Sequence, residues 1–302
     1  MGDPSDPACI TCAPGDPRYG AGHAGTARGR GLPPPARCLG AGQRLDAIRL
    51  VDRATVRGDL VSKPSMALPD GEAQLEALVG LTAAEPVRHG KRLGWAFGER
   101  GLLAHLGMTG HWVRRRTGDE PPPMNRLGLV FGDHVLWYLD TRRFGCVTPL
   151  AASEIAGRLR GDTGPDALNE PLDGPGLAER VRCRKAVKVA LMEQQRLAGL
   201  GNIHASEACH RAKIAPGRRA DALSDAEWDR LARAILDQLR FAIAAEDGVG
   251  DDGIAYVNLG GPNPFTVYRR TGEVCGTCHR GEILEEEMGG RATYWCPVCQ
   301  PA

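Results

Sequence analysis

VYRRTGEVCGTCHRGEILEEEMGGRATYWCPVCQ, residues 267–300, is the stretch from which the rest of the chain can be read. Cys275 and Cys278 form one Cys-x-x-Cys pair, and Cys296 and Cys299 a second, with seventeen residues between the pairs. Four soft thiolates in two knuckles suit one closed, tetrahedral Zn²⁺ site; unpaired structural cysteines are the plain alternative. A short hairpin fits between the knuckles, its outgoing limb at Glu282–Leu284 and its return at Ala292–Trp295. So small a module cannot bury enough apolar surface to fold alone, so metal binding supplies the missing free energy. Arg291 sits on the return limb, five residues before Cys296 and just after Gly289 and Gly290.

The chain has 302 residues, enough for two domains of ordinary size, with 42% hydrophobic and 25% charged residues. No run approaches the roughly 18 apolar residues of a membrane span, and no basic stretch followed by an apolar core opens the chain. The six cysteines outside the tail motif (Cys9, Cys12, Cys38, Cys146, Cys183, Cys209) show no disulfide-framework spacing. A reducing cytoplasm is the compartment these features predict, with no membrane association. Net charge is only +1, but its distribution is uneven. From Arg180 to Arg219 ten Lys and Arg stand against Glu193 and Glu207, a local balance of +8. Phosphate binding needs such a concentration; a solvated helix face is the bland reading.

Residues 1–37 are rich in Gly, Pro, Ala and Arg and show no amphipathic period, the composition of a disordered tail. Cys9 and Cys12 form a Cys-x-x-Cys there without a second pair nearby. Short apolar runs then follow at Leu45–Val51, Leu93–Phe97, Leu102–Leu106, Leu127–Phe131 and Val135–Leu139, bounded by turn residues, and predict strands. Glu72–Gly80 has helical spacing. The segment 38–150 therefore reads as a β-sandwich with one or two helices. Within it stand VRHGKRL with Lys91, HLGMTG (His105–Gly110) and DTRRFG (Asp140–Gly145), whose glycines suit tight turns that approach a ligand. Met108 and Phe144 in such strings are ordinarily core residues.

From 151 to 245 the pattern turns helical. Leu177–Gln195 predicts a basic amphipathic helix, Gly199–Asn202 a turn, and Ile203–Ala212 a second helix with Asn202 as N-cap. A Gly-rich turn feeding a helix N-terminus is a phosphate site or an ordinary helix–turn–helix corner. Ser224–Glu227 reads as a capping box opening a helix whose core stripe is Trp228, Leu231, Ile235 and Leu239. Residues 246–266 form a long loop before the tail module, 267–302.

Together KRL, HLGMTG, DTRRFG, LMEQQRLAGLGNIHASE and the tail with GRATYWCPVCQ resemble the bacterial formamidopyrimidine-DNA glycosylase and endonuclease VIII family, in that family's order, from about Cys38 to the C-terminus. The resemblance implies an α+β fold: an N-terminal β-sandwich domain, a helix–two-turn–helix domain and a C-terminal zinc-finger β-hairpin, with duplex DNA in the cleft. It implies excision of oxidised bases after base flipping, and AP lyase activity that nicks the strand by β,δ-elimination. It places Lys91 and Arg291 at the strand-cleavage chemistry. Met108, Arg142 and Phe144 fill the void left by the flipped nucleotide. His105, Arg184, Lys188, Asn202 and Tyr268 contact phosphates, and 246–266 closes over the flipped base. Cys275, Cys278, Cys296 and Cys299 hold one structural Zn²⁺. The partner is double-stranded DNA with oxidised bases or abasic sites, bound by a monomer in the bacterial cytoplasm, at the nucleoid.

Three departures stand out. Arg269 replaces the glycine usual before the finger, and Met124–Arg126 replaces a histidine-rich turn. The family's opening MPELPEVE, whose proline amine is the nucleophile and whose next residue, glutamate, moves protons, does not follow Met1. Yet HAGTARGRG, His23–Gly31, can be coded CAT GCC GGA ACT GCC AGA GGT CGA G, and one base later this reads MPELPEVE. An out-of-frame segment over residues 1 to about 36, rejoined by one indel within Leu32–Arg37, accounts for the departure. Three functions follow. The first is an oxidised-purine glycosylase with lyase activity, which HLGMTG and DTRRFG favour. The second is a catalytically inactive DNA-binding relative lacking the proline. The third is an oxidised-pyrimidine enzyme of the endonuclease VIII type.

Overall fold

The computed structural model describes residues 40–60, 66–107, 109–246 and 263–301. The segment 1–37, Met108 and most of the 246–266 loop lie outside the described residues. The chain divides into two compact units, residues 1–161 with 246–260, and 162–245 with 261–302.

The first unit is built on two antiparallel four-stranded sheets. Strands β1 (Ala47–Leu50), β5 (His111–Arg116), β6 (Asn125–Phe131) and β7 (His134–Leu139) form one, in the order β1-β6-β7-β5. Strands β2 (Val87–His89), β3 (Arg92–Phe97), β4 (Arg100–His105) and β8 (Cys146–Ala151) form the other, in the order β2-β3-β4-β8. Side chains alternate across a strand, so every second residue of each sheet turns inward. Leu93, Trp95 and Phe97 of β3 meet Leu127, Leu129 and Phe131 of β6 and Leu136 and Tyr138 of β7 in one core. Trp95 stacks on Phe131 with ring centroids 5.9 Å apart. Helix α1 (Gly71–Glu76) covers one side through Leu75, and α2 (Ile155–Arg160) lays Ile155 against β3 and β4. Side chains at 94 and 101 would overlap Ile155, and both positions are glycine.

All five predicted strands are present. The apolar pattern did not reveal β2, β5 or β8. β5 spends three of its six positions on Arg114–Arg116. β8 contains Pro149, which an edge strand tolerates because no neighbour needs its missing N–H. Helix α1 stops at Glu76, short of the expected Gly80.

The second unit carries α3 (Gly174–Val181), α4 (Val187–Leu191), α5 (Asn202–Ala212) and α6 (Asp225–Glu246). They pack around Leu177, Val181, Leu191, Leu200, Trp228 and Leu231. The single helix expected over Leu177–Gln195 is two helices. The chain leaves the helix at Arg182, and the 182–186 link pairs instead with 218–221: Ala220 N–H donates to Lys185 O and Asp221 N–H to Cys183 O. Asp173 caps α3 by accepting from Gly176 N–H. At α6, Glu227 accepts from Ser224 N–H at 2.9 Å, the return half of the predicted capping box, and also binds Arg218. Between α4 and α5 two turns are tied by Gln194. Its amide donates to Met192 O and Leu200 O, and its oxygen accepts from Gly199 N–H.

The tail forms a two-stranded antiparallel ribbon, β9 (Leu284–Glu287) with β10 (Ala292–Trp295). The outgoing limb starts later than expected, because Glu282 pairs instead with Val274. Gly289 and Gly290 both have positive φ (61° and 72°) and make the two-residue turn that matches strand twist. No helix among the described residues is long and apolar enough to cross a membrane.

Candidate nucleic-acid interface and cysteine centre

In the first unit the glycine-rich strings come together. Gly107 has φ 61°, and a Cβ there would lie 2.6 Å from Gly145 N and 2.7 Å from the Phe144 carbonyl carbon. A side chain at Gly145 would overlap the Tyr138 hydroxyl and stand 2.7 Å from His105 O. Only glycines let the two turns stack. Asp140, 1% exposed, ties them. One carboxylate oxygen accepts from Gly145 N–H at 2.7 Å, the other from Thr109 Oγ1 at 2.5 Å and Arg142 N–H at 3.2 Å.

The outcome is an apolar side chain held in solvent. Phe144 is 48% exposed, with the Arg142 guanidinium 4.8 Å from its ring centroid. The core reading of Phe144 is thereby excluded.

His105 closes β4. Its Nδ1 accepts Gly107 N–H at 3.3 Å, which leaves the proton on Nε2. Burial, then the charges of Lys91, Arg92 and Arg57, push its pKa below the usual imidazole range. His105 is therefore a neutral hydrogen-bond donor at pH 7. Lys91 is exposed on the β2–β3 turn, near enough for its charge to be felt at His105.

In the second unit Lys188, Asn202 and Arg291 converge. Lys188 is buried, and its Nζ donates to Asn202 Oδ1 at 2.5 Å. Burial, with the neighbouring Arg291 charge assisting, lowers its pKa from 10.5 to about 8. Asn202 Nδ2 donates to Ala292 O at 2.9 Å, joining the start of α5 to β10. Asn202 is thus not the N-cap; Gly201 occupies that position and Asn202 opens the helix. Arg291 is exposed beside the Gly289–Gly290 turn, its N–H and C=O paired with Met288. Tyr268 packs on Tyr294 with centroids 5.0 Å apart. Arg184 is exposed on the 182–186 link, close enough for its charge to act on Asp221.

The basic run is less free than its +8 balance implied. Lys185 and Arg196 bind Glu193, Arg218 binds Glu227, Arg219 binds Asp221 and Arg182 binds Asp225. Three of those acids lie just beyond the counted stretch.

The four cysteines of the tail place their sulfurs within 4.8 Å of one another. Cys275 and Cys299 sulfurs are 3.8 Å apart, and those of Cys278 and Cys296 3.7 Å. A tetrahedron with metal–sulfur bonds of about 2.3 Å has edges of about 3.8 Å. Gly281 N–H donates to Cys278 Sγ and Cys299 N–H to Cys296 Sγ, the backbone bonds a thiolate pair attracts.

Reading by motif missed Glu207. Its carboxylate, 1% exposed, accepts three consecutive amides, Thr266, Val267 and Tyr268, at 2.8–3.0 Å. The available signal was a lone acid among the buried Ala205, Ala208 and Cys209 of α5. His210 was also missed. It bridges Gln300 at 3.0 Å and Thr277 at 2.9 Å, joining α5 to the tail.

Stacked glycine turns presenting an arginine-capped aromatic, a helix–two-turn–helix core and a four-cysteine hairpin define a class of nucleic-acid-processing protein. Family models match both parts: the formamidopyrimidine-DNA glycosylase N-terminal domain over residues 39–147, and the H2TH domain of the same glycosylase over 163–252. The formamidopyrimidine-DNA glycosylase of Geobacter metallireducens is 36% identical over 256 residues, covering 83% of this chain and 91% of that one. That of Methylococcus capsulatus is 38% identical over 233 residues, covering 74% and 84%. Lactococcus lactis Fpg in complex with abasic-site DNA superposes with a TM-score of 0.75 at 28% identity, covering 88% of this chain and 96% of its own. MutM bound to DNA carrying carbocyclic 8-oxo-G gives 0.73 at 29%, covering 87% and 94%. The chain belongs to the formamidopyrimidine-DNA glycosylase family.

Proposed function

We propose that this protein is a DNA repair glycosylase with abasic-site lyase activity, which excises 8-oxoguanine and formamidopyrimidines from duplex DNA and nicks the strand by β,δ-elimination. The observation that carries the reading is the exposed Phe144 under the Arg142 guanidinium, on a turn locked against the 105–110 turn. An apolar ring held in water at such a turn serves as a wedge where a base has left the stack. Arg142 and Phe144, with Met108, fill the vacated space. Neutral His105 donates to a phosphate, and Arg184, Lys188, Asn202 and Tyr268 bind others. Lys91 and Arg291 supply positive charge where the strand is cut.

A structural Zn²⁺ fits Cys275, Cys278, Cys296 and Cys299, because the sulfur spacing matches tetrahedral thiolate coordination. Its part is to hold the hairpin that presents Arg291. Opening the sugar needs an amine nucleophile at C1′, and the proline of the out-of-frame MPELPEVE supplies it. Sequencing the locus across codons 20–40 tests that frame; codons at 23–31 unable to yield the octapeptide end it. The site of action is the bacterial cytoplasm, on the chromosome.

The functional test is cleavage of matched duplexes holding 8-oxoguanine or thymine glycol. An oxidised-purine enzyme cleaves the first at least about tenfold faster. Equal or faster cleavage of thymine glycol assigns the chain to the oxidised-pyrimidine branch.

A further inference from the structure

Arg57 is 3% exposed, lies outside every motif above, and holds the wedge turn from beneath. Its own backbone is stitched to the first residues after that turn. Val56 bridges Val147, and Arg57 N–H donates to Val147 O at 3.0 Å. The guanidinium then reaches back. Nε donates to Ala54 O at 3.0 Å, and Nη2 donates to Arg143 O at 3.0 Å and Gly145 O at 3.1 Å. These two carbonyls flank Phe144. A rigid planar fork can serve several acceptors at once; an ammonium on a flexible stem cannot fix the same geometry.

The same short segment grips the turn a second time. Asp52 Oδ1 accepts from Ala54 N–H at 3.1 Å and from Arg143 Nη2 at 2.7 Å. Arg143 has φ 58°, a left-handed conformation that a residue with a Cβ adopts at a cost. Asp52 thus holds the side chain of the strained residue while Arg57 holds its carbonyl. From the other side Asp140 takes the amides of Arg142 and Gly145, and Arg126 Nε donates to Asp140 O at 2.9 Å. Both main-chain faces of residues 142–145 are therefore fixed by charged side chains; Phe144 and the Arg142 guanidinium project, while the exposed Arg143 side chain is tied down by Asp52.

We propose that Arg57, seconded by Asp52, is a positioning residue that keeps the Arg142–Phe144 wedge rigid, and that this rigidity sets how well the protein tells a duplex with a missing base from an intact one. The inference rests on the reading of Arg142 and Phe144 as void-filling residues. A wedge ordered in advance spends no binding free energy on ordering when it enters the stack. A loose wedge loses that advantage only where there is a void to fill, so intact DNA is bound as before.

The test measures affinity of the full-length chain for two duplexes, one with a tetrahydrofuran abasic analogue and one undamaged. Arg57→Lys is expected to lower the ratio of the two affinities about tenfold, with undamaged-duplex affinity within about twofold of the parent. Asp52→Ala is expected to lower the ratio about threefold. If Arg57 acts through the wedge, then Arg57→Lys made in a Phe144→Ala background changes the ratio by less than about twofold. A general loss of stability would instead add in full on top of Phe144→Ala, and that result overturns the proposal. So does an Arg57→Lys protein that keeps the parental ratio. Should Arg57→Lys not melt cooperatively, Asp52→Ala decides by the same ratio and the same double-mutant comparison. A parent chain that binds both duplexes equally removes the functional reading, and the inference with it. A discriminating parent with discriminating variants removes the inference alone.

Discussion

Arg142 and Arg291 are both exposed arginines beside glycine turns, yet the molecule holds them by different physics. Arg142 rides on a turn gripped by buried polar side chains, Asp140 and Arg57, above a core of seventeen buried apolar residues. The tail module behind Arg291 has five buried core residues, two of them cysteines. A core that small cannot offset the chain entropy of the module, so its order depends on what the sulfurs bind and on Glu207 and His210 of α5. One arginine is positioned by a buried hydrogen-bond network, the other by a four-cysteine staple. The two supports should therefore fail under different perturbations.

The staple should fail first and furthest. Cys296→Ser, or removal of metal by a chelator, is expected to lower duplex affinity by about 100-fold or more, because the hairpin bearing Arg291 unfolds. Thermal unfolding of the sandwich unit should be unchanged, and hydrogen exchange resolved by segment checks both. Full affinity in a metal-free variant would show that the module folds on its own small core.

Breaking the network comes next. Asp140→Ala removes the acceptor of Gly145 N–H, Arg142 N–H and Thr109 Oγ1 at once, and should destabilise the sandwich by about 3 kcal/mol in denaturant titration. Metal content should stay intact. A change under about 1 kcal/mol would mean that water satisfies these donors as well as the carboxylate does.

A third expectation uses pH to sharpen the same contrast. Burial lowers the Lys188 pKa to about 8, so its charge is lost just above neutrality. Duplex affinity should fall roughly tenfold as pH rises through that value, and Lys188→Met should remove the step. Folding stability should run the other way. The unfolded lysine holds its proton up to 10.5 and the folded one does not, so stability rises between pH about 8 and 10.5.

The smallest effect concerns Arg269, at φ 56° with its guanidinium 5.6 Å from the Tyr268 ring centroid. Glycine adopts this conformation freely, so Arg269→Gly should stabilise the helical unit by about 1 kcal/mol in a melting experiment. Loss of stability instead would show that the arginine's contacts outweigh its strain.

These contrasts mark how far the sequence could be read. The clustering of the four tail cysteines was legible, because the spacing of two Cys-x-x-Cys knuckles brings four sulfurs together. The sandwich was legible where apolar residues alternate and hidden where β5 spends its positions on arginines and β8 on a proline. The helix expected over Leu177–Gln195 failed for another reason. Pairing of 183–185 with 220–221 and the bonds of Gln194 are long-range or polar, and periodicity records neither. The quoted strings marked the 140–145 turn that carries Arg142 and Phe144. Its braces, Arg57 and Asp52, lie some ninety residues earlier in an unremarkable loop. Tertiary carbonyl acceptors leave no trace in sequence, so such residues emerge only from the fold.

Covalent catalysis on a damaged base is the chemistry proposed for this family member. The direct measurement is borohydride trapping of the protein, expressed from its own locus, on a duplex containing 8-oxoguanine. A covalent protein–DNA adduct, formed only with the damaged duplex, is the predicted result. Tight binding to that duplex without any adduct would contradict it and leave a lesion-binding relative that performs no chemistry.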